Sequence, residues 1–243
     1  MNNAVFFIFV LTAGIFVKII TGIIKFDDYN IAFDNPQKNG LTIIIMLIFI
    51  IIITLLNCTY IPKYITGMKY VILSSLLELL PVVIVCCFQH SSLESIGITT
   101  KNLIKSILLG LCLFGLLLLI VHFFYKPNNI YYPMNQKIII LIKFFILGFI
   151  EEVIFRGYIQ IRLTAWLGKT KGIVLTALMF SFIHLPSRLI VQQLSFMNAL
   201  ISSFTLIPIA LLLGYIMMKN KNIASSTIVH AGVNWVFQVM MSA

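Results

Sequence analysis

The sequence has few charged residues, and acids are the scarcest of them. Of its 243 residues, 10% are charged and 60% are hydrophobic, and only seven are Asp or Glu. Soluble globular domains carry about 25% charged residues, so this chain has too few to cover a surface that faces water. The composition excludes a soluble enzyme, a small secreted domain and a disordered chain, and it places the protein in a lipid bilayer.

Cysteine is also scarce, and the basic residues form no dense cluster. The four cysteines fall in apolar stretches and lack the spacing of metal ligands: Cys58, Cys86, Cys87 and Cys112. The 17 Lys and Arg give a formal net charge of +10, but they are dispersed over the connecting loops. Such an excess is typical of membrane topology and attraction to headgroups. We therefore expect the lipid bilayer as a partner and no nucleic acid.

Long apolar stretches fill most of the chain. A helix of roughly 20 apolar residues crosses the hydrocarbon of a bilayer. About eight such stretches occur, near residues 4–24, 41–60, 70–88, 103–124, 138–158, 172–185, 196–217 and 223–241. The sixth is short and ends at Leu185 and Pro186, as a helix that stops at membrane depth would. The sequence predicts an all-α polytopic membrane bundle of about eight transmembrane helices around a polar cavity.

The polar loop at residues 125–137, with its two prolines, is the best candidate for a boundary. We expect an N-terminal four-helix membrane half at residues 1–124 and a C-terminal half at residues 138–243. The two halves are predicted to form one structural unit, with the chemistry in the second half.

Two adjacent acids interrupt the fifth apolar stretch. An ionised side chain at the centre of a membrane helix costs about 2.5 to 3.5 kcal/mol on insertion scales, so Glu151, Glu152 and Arg156 must face protein or water. Glu152 and Arg156 are four residues apart and can pair on one helix face, while Glu151 lies about 100° away. Two adjacent carboxylates, one of them neutralised by Arg156, could build a general base. The alternative is an ion pair that only holds helices together.

Two histidines and an asparagine lie in later apolar stretches. Phe180 and His184 are four residues apart near the end of the sixth stretch, and His230 and Asn234 have the same spacing in the last one. Each pair can share one helix face. Taken singly, each histidine could be an ordinary core residue, and Asn234 could be a residue that joins two helices by a hydrogen bond. Together with the two carboxylates they contain a base for water, imidazoles that carry protons and an amide donor for an oxyanion.

Glu78 is the third acid inside an apolar stretch. It could pair with Lys18 or Lys143 inside the bundle, or it could line the polar cavity. The sequence assigns it no catalytic role.

These motifs resemble those of the CPBP intramembrane proteases, also called the Abi family, which includes the type II CAAX prenyl endopeptidases. The Glu-Glu-x-x-x-Arg motif of that family is matched at residues 151–156, and Gly157 after it is also similar. Phe-x-x-x-His is matched at residues 180–184 and His-x-x-x-Asn at residues 230–234. Three motifs in order, each in a separate apolar stretch, make the resemblance specific.

The resemblance implies a role for each motif residue. Glu151 would activate the attacking water with help from Glu152, and His184 and His230 would position that water or protonate the leaving amine. Asn234 would stabilise the oxyanion. The supporting residues implied by the motifs are Arg156, which would orient the glutamates, and Phe180.

A metal-free reaction is favoured, so no cofactor is expected. The alternative is a catalytic zinc held by Glu151, His184 and His230, although the chain lacks a His-Glu-x-x-His motif.

The sequence therefore predicts an intramembrane endopeptidase that uses a glutamate-activated water on membrane-associated peptides or proteins. The substrate could be a prenylated CAAX tail or a signalling, pheromone or bacteriocin-like peptide. A non-proteolytic immunity or regulatory protein and a proton-coupled transporter are the alternatives. The richness in Ile, Lys and Asn favours a bacterial cell membrane as the location.

Overall fold

A computed structural model describes residues 3–27, 33, 35–125 and 132–241. Within these ranges the chain is helical and contains no strand. Six helical stretches of the described residues, two of which contain a break, are long and apolar enough to cross a membrane. The prediction of an all-α, multi-pass membrane bundle is confirmed, whereas the count of eight spanning helices is not.

The described helices differ widely in length. They are α1 (Asn3–Ile23), α2 (Pro36–Thr59), α3 (Gly67–Phe88), α4 (Leu103–Phe124), α5 (Met134–Glu152), α6 (Ile161–Leu167), α7 (Lys169–Ile183), α8 (Leu185–Ile190), α9 (Phe196–Phe204), α10 (Ile207–Asn220) and α11 (Ile223–Met240). Many large apolar side chains on α1 to α5 are exposed, such as Leu11 and Leu108. In a bilayer this surface faces lipid, so its exposure costs little.

The fifth stretch is longer than its hydropathy predicts. After α5 the backbone continues as a π-helical segment, Val153–Gln160, and then as α6. The predicted end near Tyr158 is wrong because nothing there breaks a helix. The chain turns at Gly168, where φ is +85°, a conformation that glycine adopts without steric cost.

The sixth and seventh stretches are both broken. The predicted stop of the sixth stretch agrees with the structure to within two residues, because α7 ends at Ile183 and α8 begins at Leu185. The seventh is predicted to be continuous over residues 196–217, but it divides into α9 and α10 around Thr205. Pro208 lies in the first turn of α10, where its missing N–H costs no helical hydrogen bond.

Helix α11 packs between α4 and α5. Small residues allow these close approaches: a Cβ at Gly148 would lie 3.4 Å from the backbone nitrogen of Ala231, and a Cβ at Gly232 would meet the ring of Phe114. This packing brings the middle of α11 against the end of α5. Residues 126–131 of the expected boundary lie outside the described residues, so the division into two halves stays a prediction.

Candidate active site

The two glutamates lie where α5 passes into the π-helical segment. The Glu152 side chain is 0% exposed and that of Glu151 is 23% exposed. Every residue of the segment Val153–Gln160 is buried. A π-helical turn is a costly local geometry that is frequent at functional sites, and here it directly follows both acids.

Glu152 forms the buried ion pair that the spacing predicts. Its Oε1 lies 3.0 Å from Nη1 of Arg156, one helical turn away. Arg156 also donates from Nη2 to the carbonyl oxygen of Ala210 at 3.4 Å. Its guanidinium lies over the Phe180 ring, 4.4 Å from the centroid. The arginine thus neutralises Glu152 and is itself held by α7 and α10.

His230 reaches the same carboxylate from α11. Its Nδ1 lies 2.9 Å from Oε1 of Glu152. Since an ionised carboxylate only accepts hydrogen bonds, this Nδ1 carries the proton and Nε2 points away from Glu152. Ser226, one turn before His230, lies close enough to Glu152 to influence its carboxylate, although its hydroxyl donates to the carbonyl oxygen of Ile223 at 3.0 Å. Sequence reasoning missed Ser226, although its i−4 spacing from His230 was visible.

His184 lies just after α7, at the break before α8. Its Nδ1 lies 2.8 Å from the carbonyl oxygen of Phe180, which can only accept. Nδ1 therefore donates this hydrogen bond, and Nε2 is left free to meet another group. The break in the helix at this point sets the direction of the ring.

Phe180 joins the two histidines and the ion pair. Its ring centroid lies 4.8 Å from that of His184 and 5.7 Å from that of His230. Phe155, from the π-helical segment, packs edge-on against Phe180 at 5.2 Å. The residue predicted as supporting thus forms an apolar floor beneath both imidazoles.

The free atoms of both histidines converge on Glu151. Oε2 of Glu151 lies 3.6 Å from Nε2 of His230 and 4.0 Å from Nε2 of His184. This oxygen is buried and has no hydrogen-bond partner among the described residues. These separations are longer than direct hydrogen bonds, which span about 2.7 to 3.2 Å. The three atoms are close enough together for one small molecule beside them to bond to all three.

Asn234 is the remaining predicted catalytic residue, and Glu78 is the third acid inside the apolar stretches. Asn234 is half-buried one turn after His230, and no hydrogen bond among the described residues joins it to the glutamates or histidines. Glu78 does not pair with Lys18 or Lys143. It accepts a hydrogen bond from Nδ2 of Asn57 at 2.8 Å, because α2 and α3 pack together and present the amide to it.

Zinc is the alternative to a metal-free site. One carboxylate oxygen and two imidazole nitrogens are a donor set that zinc takes. Across the described residues, however, no group of three His, Cys, Asp or Glu side chains is placed to hold a metal ion. The metal-free reaction therefore stays a prediction.

Comparison with known proteins identifies a family for this part of the chain. Residues 133–236 match the family model described as Type II CAAX prenyl endopeptidase Rce1-like. The matched segment contains all seven residues that the motifs single out. Searches of curated proteins and of solved structures each found no match.

Proposed function

We propose that this chain, whose residues 133–236 match the family model of type II CAAX prenyl endopeptidases, hydrolyses peptide bonds by a glutamate-activated water. The match and the six candidate membrane spans support a multi-pass membrane protein of the CAAX-protease type. The catalytic mechanism, the roles of single residues and the substrate are the proposal.

The convergence of His184 Nε2 and His230 Nε2 on the unpaired oxygen of Glu151 carries the proposal. A water beside these atoms would donate one hydrogen to Oε2 of Glu151 and the other to an imidazole. Its oxygen lone pair would then face a substrate carbonyl. Glu151 would remove a proton as the oxygen attacks, which is general base catalysis.

The buried partners of Glu152 support this division of roles. Arg156 and His230 both contact Glu152, so its charge is already compensated and it is a poor base. Glu151 lacks such a partner and is the more exposed of the two acids. We therefore assign proton removal to Glu151, and we assign to Glu152 the positioning of His230.

His184 is the better donor for the leaving amine. Its side chain is 29% exposed, against 7% for His230, so it has the better access to a substrate. As the C–N bond of the tetrahedral intermediate breaks, the electron pair stays on nitrogen. Glu151 passes the proton that it took from water to His184. The resulting imidazolium then gives this proton to the leaving nitrogen.

The oxyanion of the intermediate needs a donor, and the amide of Asn234 is the candidate. It lies one turn beyond His230 on α11, and a carboxamide N–H can donate to a developing negative charge. No protein hydrogen bond among the described residues ties this amide to the other site residues.

The site suits a substrate with an apolar part. A cavity of about 500 Å³ lies between α3 and α5. Phe149 and Val153, which flank both glutamates in sequence, line it, whereas the glutamates and histidines of the site do not. Other lining side chains include Leu79 and Val82. A membrane-associated peptide could place an apolar side chain or a lipid group there, so prenylated and unmodified peptides both remain candidate substrates.

The alternatives are an immunity or regulatory protein and a proton-coupled transporter. Both would retain buried charges, since intramembrane acids also form proton relays. Neither requires two imidazole nitrogens to surround the oxygen of an unpaired carboxylate. Hydrolysis is therefore the favoured function.

The test compares the wild type with Glu151→Gln, which keeps the side-chain shape and removes the base. Membrane-associated peptides from cells that express either protein would be quantified by mass spectrometry. Peptides whose abundance differs between the two would be synthesised and incubated with the purified protein. Removal of a general base is expected to slow cleavage by about 10² to 10⁴-fold.

The matched control is Glu94→Gln, which removes an exposed acid that pairs with Lys101 outside the site. It should cleave like the wild type. Cleavage by Glu151→Gln at the wild-type rate would exclude the proposed base, and proton-coupled flux without hydrolysis would favour a transporter.

A further inference from the structure

A second cavity, away from the glutamates and histidines, is lined by lysines. It has a volume of about 580 Å³ and lies where the end of α1, the start of α7 and the end of α10 meet. Its basic lining residues are Lys25, Lys169, Lys219 and Lys221. This cavity, which we call the basic pocket, contains none of the motif residues and has no part in the proposed hydrolysis.

The charge of the basic pocket is strongly positive. Asp27 is the one acid among the described residues that lines it, and Oδ1 of Asp27 lies 3.7 Å from Nζ of Lys105, a lysine outside the pocket. Nζ of Lys219 lies 5.6 Å from the centre of the Tyr215 ring, a contact that attracts a cation without neutralising it. The pocket therefore suits an anion.

The basic pocket lies at one face of the membrane. Three apolar spans have an end at it: Ala4–Ile23 and Phe196–Asn220 end there, and Lys169–Ile190 begins there. Lysines at the ends of such spans reach the depth of the lipid headgroups. They are typical of the cytoplasmic face, whose leaflet carries the anionic lipids. The anion most accessible to this pocket is therefore the phosphate of a lipid.

The walls of the basic pocket are partly apolar. Phe26, Ile161, Met217 and Met218 line it and could contact the glycerol backbone and the first carbons of an acyl chain. Gln160 reaches the pocket from the end of the π-helical segment; it is 2% exposed, and its Oε1 is buried without a hydrogen-bond partner among the described residues. A phospholipid offers charge, polar groups and apolar surface together, whereas free inorganic phosphate has no apolar part.

Asn102 holds the rim of the basic pocket together. Its Nδ2 donates to the carbonyl oxygens of Asp27 at 3.0 Å and of Asn220 at 3.1 Å, and its Oδ1 accepts from the backbone nitrogen of Asp27 at 2.9 Å. Asn102 thus joins the segment after α1, which carries Lys25, to the end of α10, which carries Lys219. Because the rim is already fixed, little backbone ordering is needed when a ligand binds.

We propose that the basic pocket binds the phosphate of an anionic phospholipid headgroup. The lysine ammonium groups donate charge-assisted hydrogen bonds to the phosphate oxygens, and the acyl chains extend from the pocket into the bilayer. Each lysine close to such a headgroup strengthens binding by about fivefold. The proposal does not depend on hydrolysis, so it stands or falls apart from the proposed function.

The experiment measures lipid binding to the purified full-length protein in detergent by native mass spectrometry. Phosphatidylglycerol and phosphatidylcholine with identical acyl chains are titrated in parallel. The variants are Lys169→Gln, Lys219→Gln and the double variant. The matched control is Lys69→Gln, which removes an exposed lysine at the start of α3, outside the pocket.

The wild type is expected to bind phosphatidylglycerol at least about 25-fold more tightly than phosphatidylcholine, from two lysines at about fivefold each. Each single variant should lose about fivefold in affinity for phosphatidylglycerol, and the double variant should lose most of the preference. Binding of phosphatidylcholine should not change. Lys69→Gln should bind both lipids like the wild type. The wild-type preference decides the question by itself if a variant does not fold.

Three results would overturn the proposal. Equal affinity of the wild type for the two lipids would exclude a site for an anionic headgroup. An equal loss in Lys69→Gln and Lys169→Gln would show only the general attraction of a basic protein to anionic lipid. Displacement of phosphatidylglycerol by inorganic phosphate at the same concentration, but not by sodium chloride of the same ionic strength, would assign the pocket to a free phosphate compound.

Discussion

The buried pair of Glu152 and Arg156 permits a quantitative test of the site. Both side chains are 0% exposed, and their charged atoms are 3.0 Å apart. Removal of one member of such a pair leaves an uncompensated charge in a medium of low dielectric constant. This costs about 3 to 5 kcal/mol, whereas replacement of both charges by neutral groups is often tolerated.

We therefore expect Arg156→Met and Glu152→Gln each to lower the stability by about 3 to 5 kcal/mol. For a chain of this size the corresponding fall in midpoint is roughly 6 to 20 °C. The double variant should be more stable than Arg156→Met by about 1 kcal/mol or more, because it leaves no buried charge unpaired. The new amide in Glu152→Gln can still accept a hydrogen bond from His230, so the change acts mainly on charge.

The assay is thermal unfolding in detergent, followed by tryptophan fluorescence, for the wild type, both single variants and the double variant. Additive effects within about 0.5 kcal/mol would refute the reasoning, because independent sites add in this way. Hydrolysis should stay low in the double variant although its stability recovers, since the charge of Glu152 is needed to position His230.

Three further outcomes are expected. Gly157→Ala would drive its Cβ into the carbonyl oxygen of Ile96 and should lower stability by about 1 to 3 kcal/mol. The control Gly115→Ala places its Cβ in open space on α4 and should not lower stability. Equal thermal midpoints for the two variants would refute this prediction. Glu78→Gln should unfold at the wild-type temperature or above, because the hydrogen bond from Asn57 remains while a charge inside the apolar span Gly67–Phe88 is lost. A fall of several degrees would mean that the charge stabilises the fold. Cleavage by protein treated with a strong chelator should equal that of untreated protein, and a loss that zinc restores would revive the metal alternative.

The helix and motif assignments came from local information. A membrane helix has an apolar signature because every backbone group must bond within the helix and every outward side chain meets lipid. For the same reason the few polar residues inside these stretches stood out. The pairing of Glu152 with Arg156 followed from helical spacing alone.

The breaks in the helices could not be predicted in full. Hydropathy does not distinguish a continuous span from two short helices, so the division between α9 and α10 was missed. The π-helical segment after Glu152 has no local signal either, because its wider turn depends on the side chains packed around it. The partner of Glu78 was missed because Asn57 lies on another helix.

The sequence by itself thus determined the membrane environment, the helical class and the polar residues that are candidates for chemistry. Tertiary structure alone decided which of them meet: α11 carries His230 to Glu152, and the break after α7 directs His184 toward Glu151. The physical reason is that spacing along one helix sets which side chains share a face, while contacts between helices depend on how their surfaces pack. Only that packing distinguishes Glu152, compensated by two neighbours, from Glu151, whose buried oxygen has no hydrogen-bond partner among the described residues.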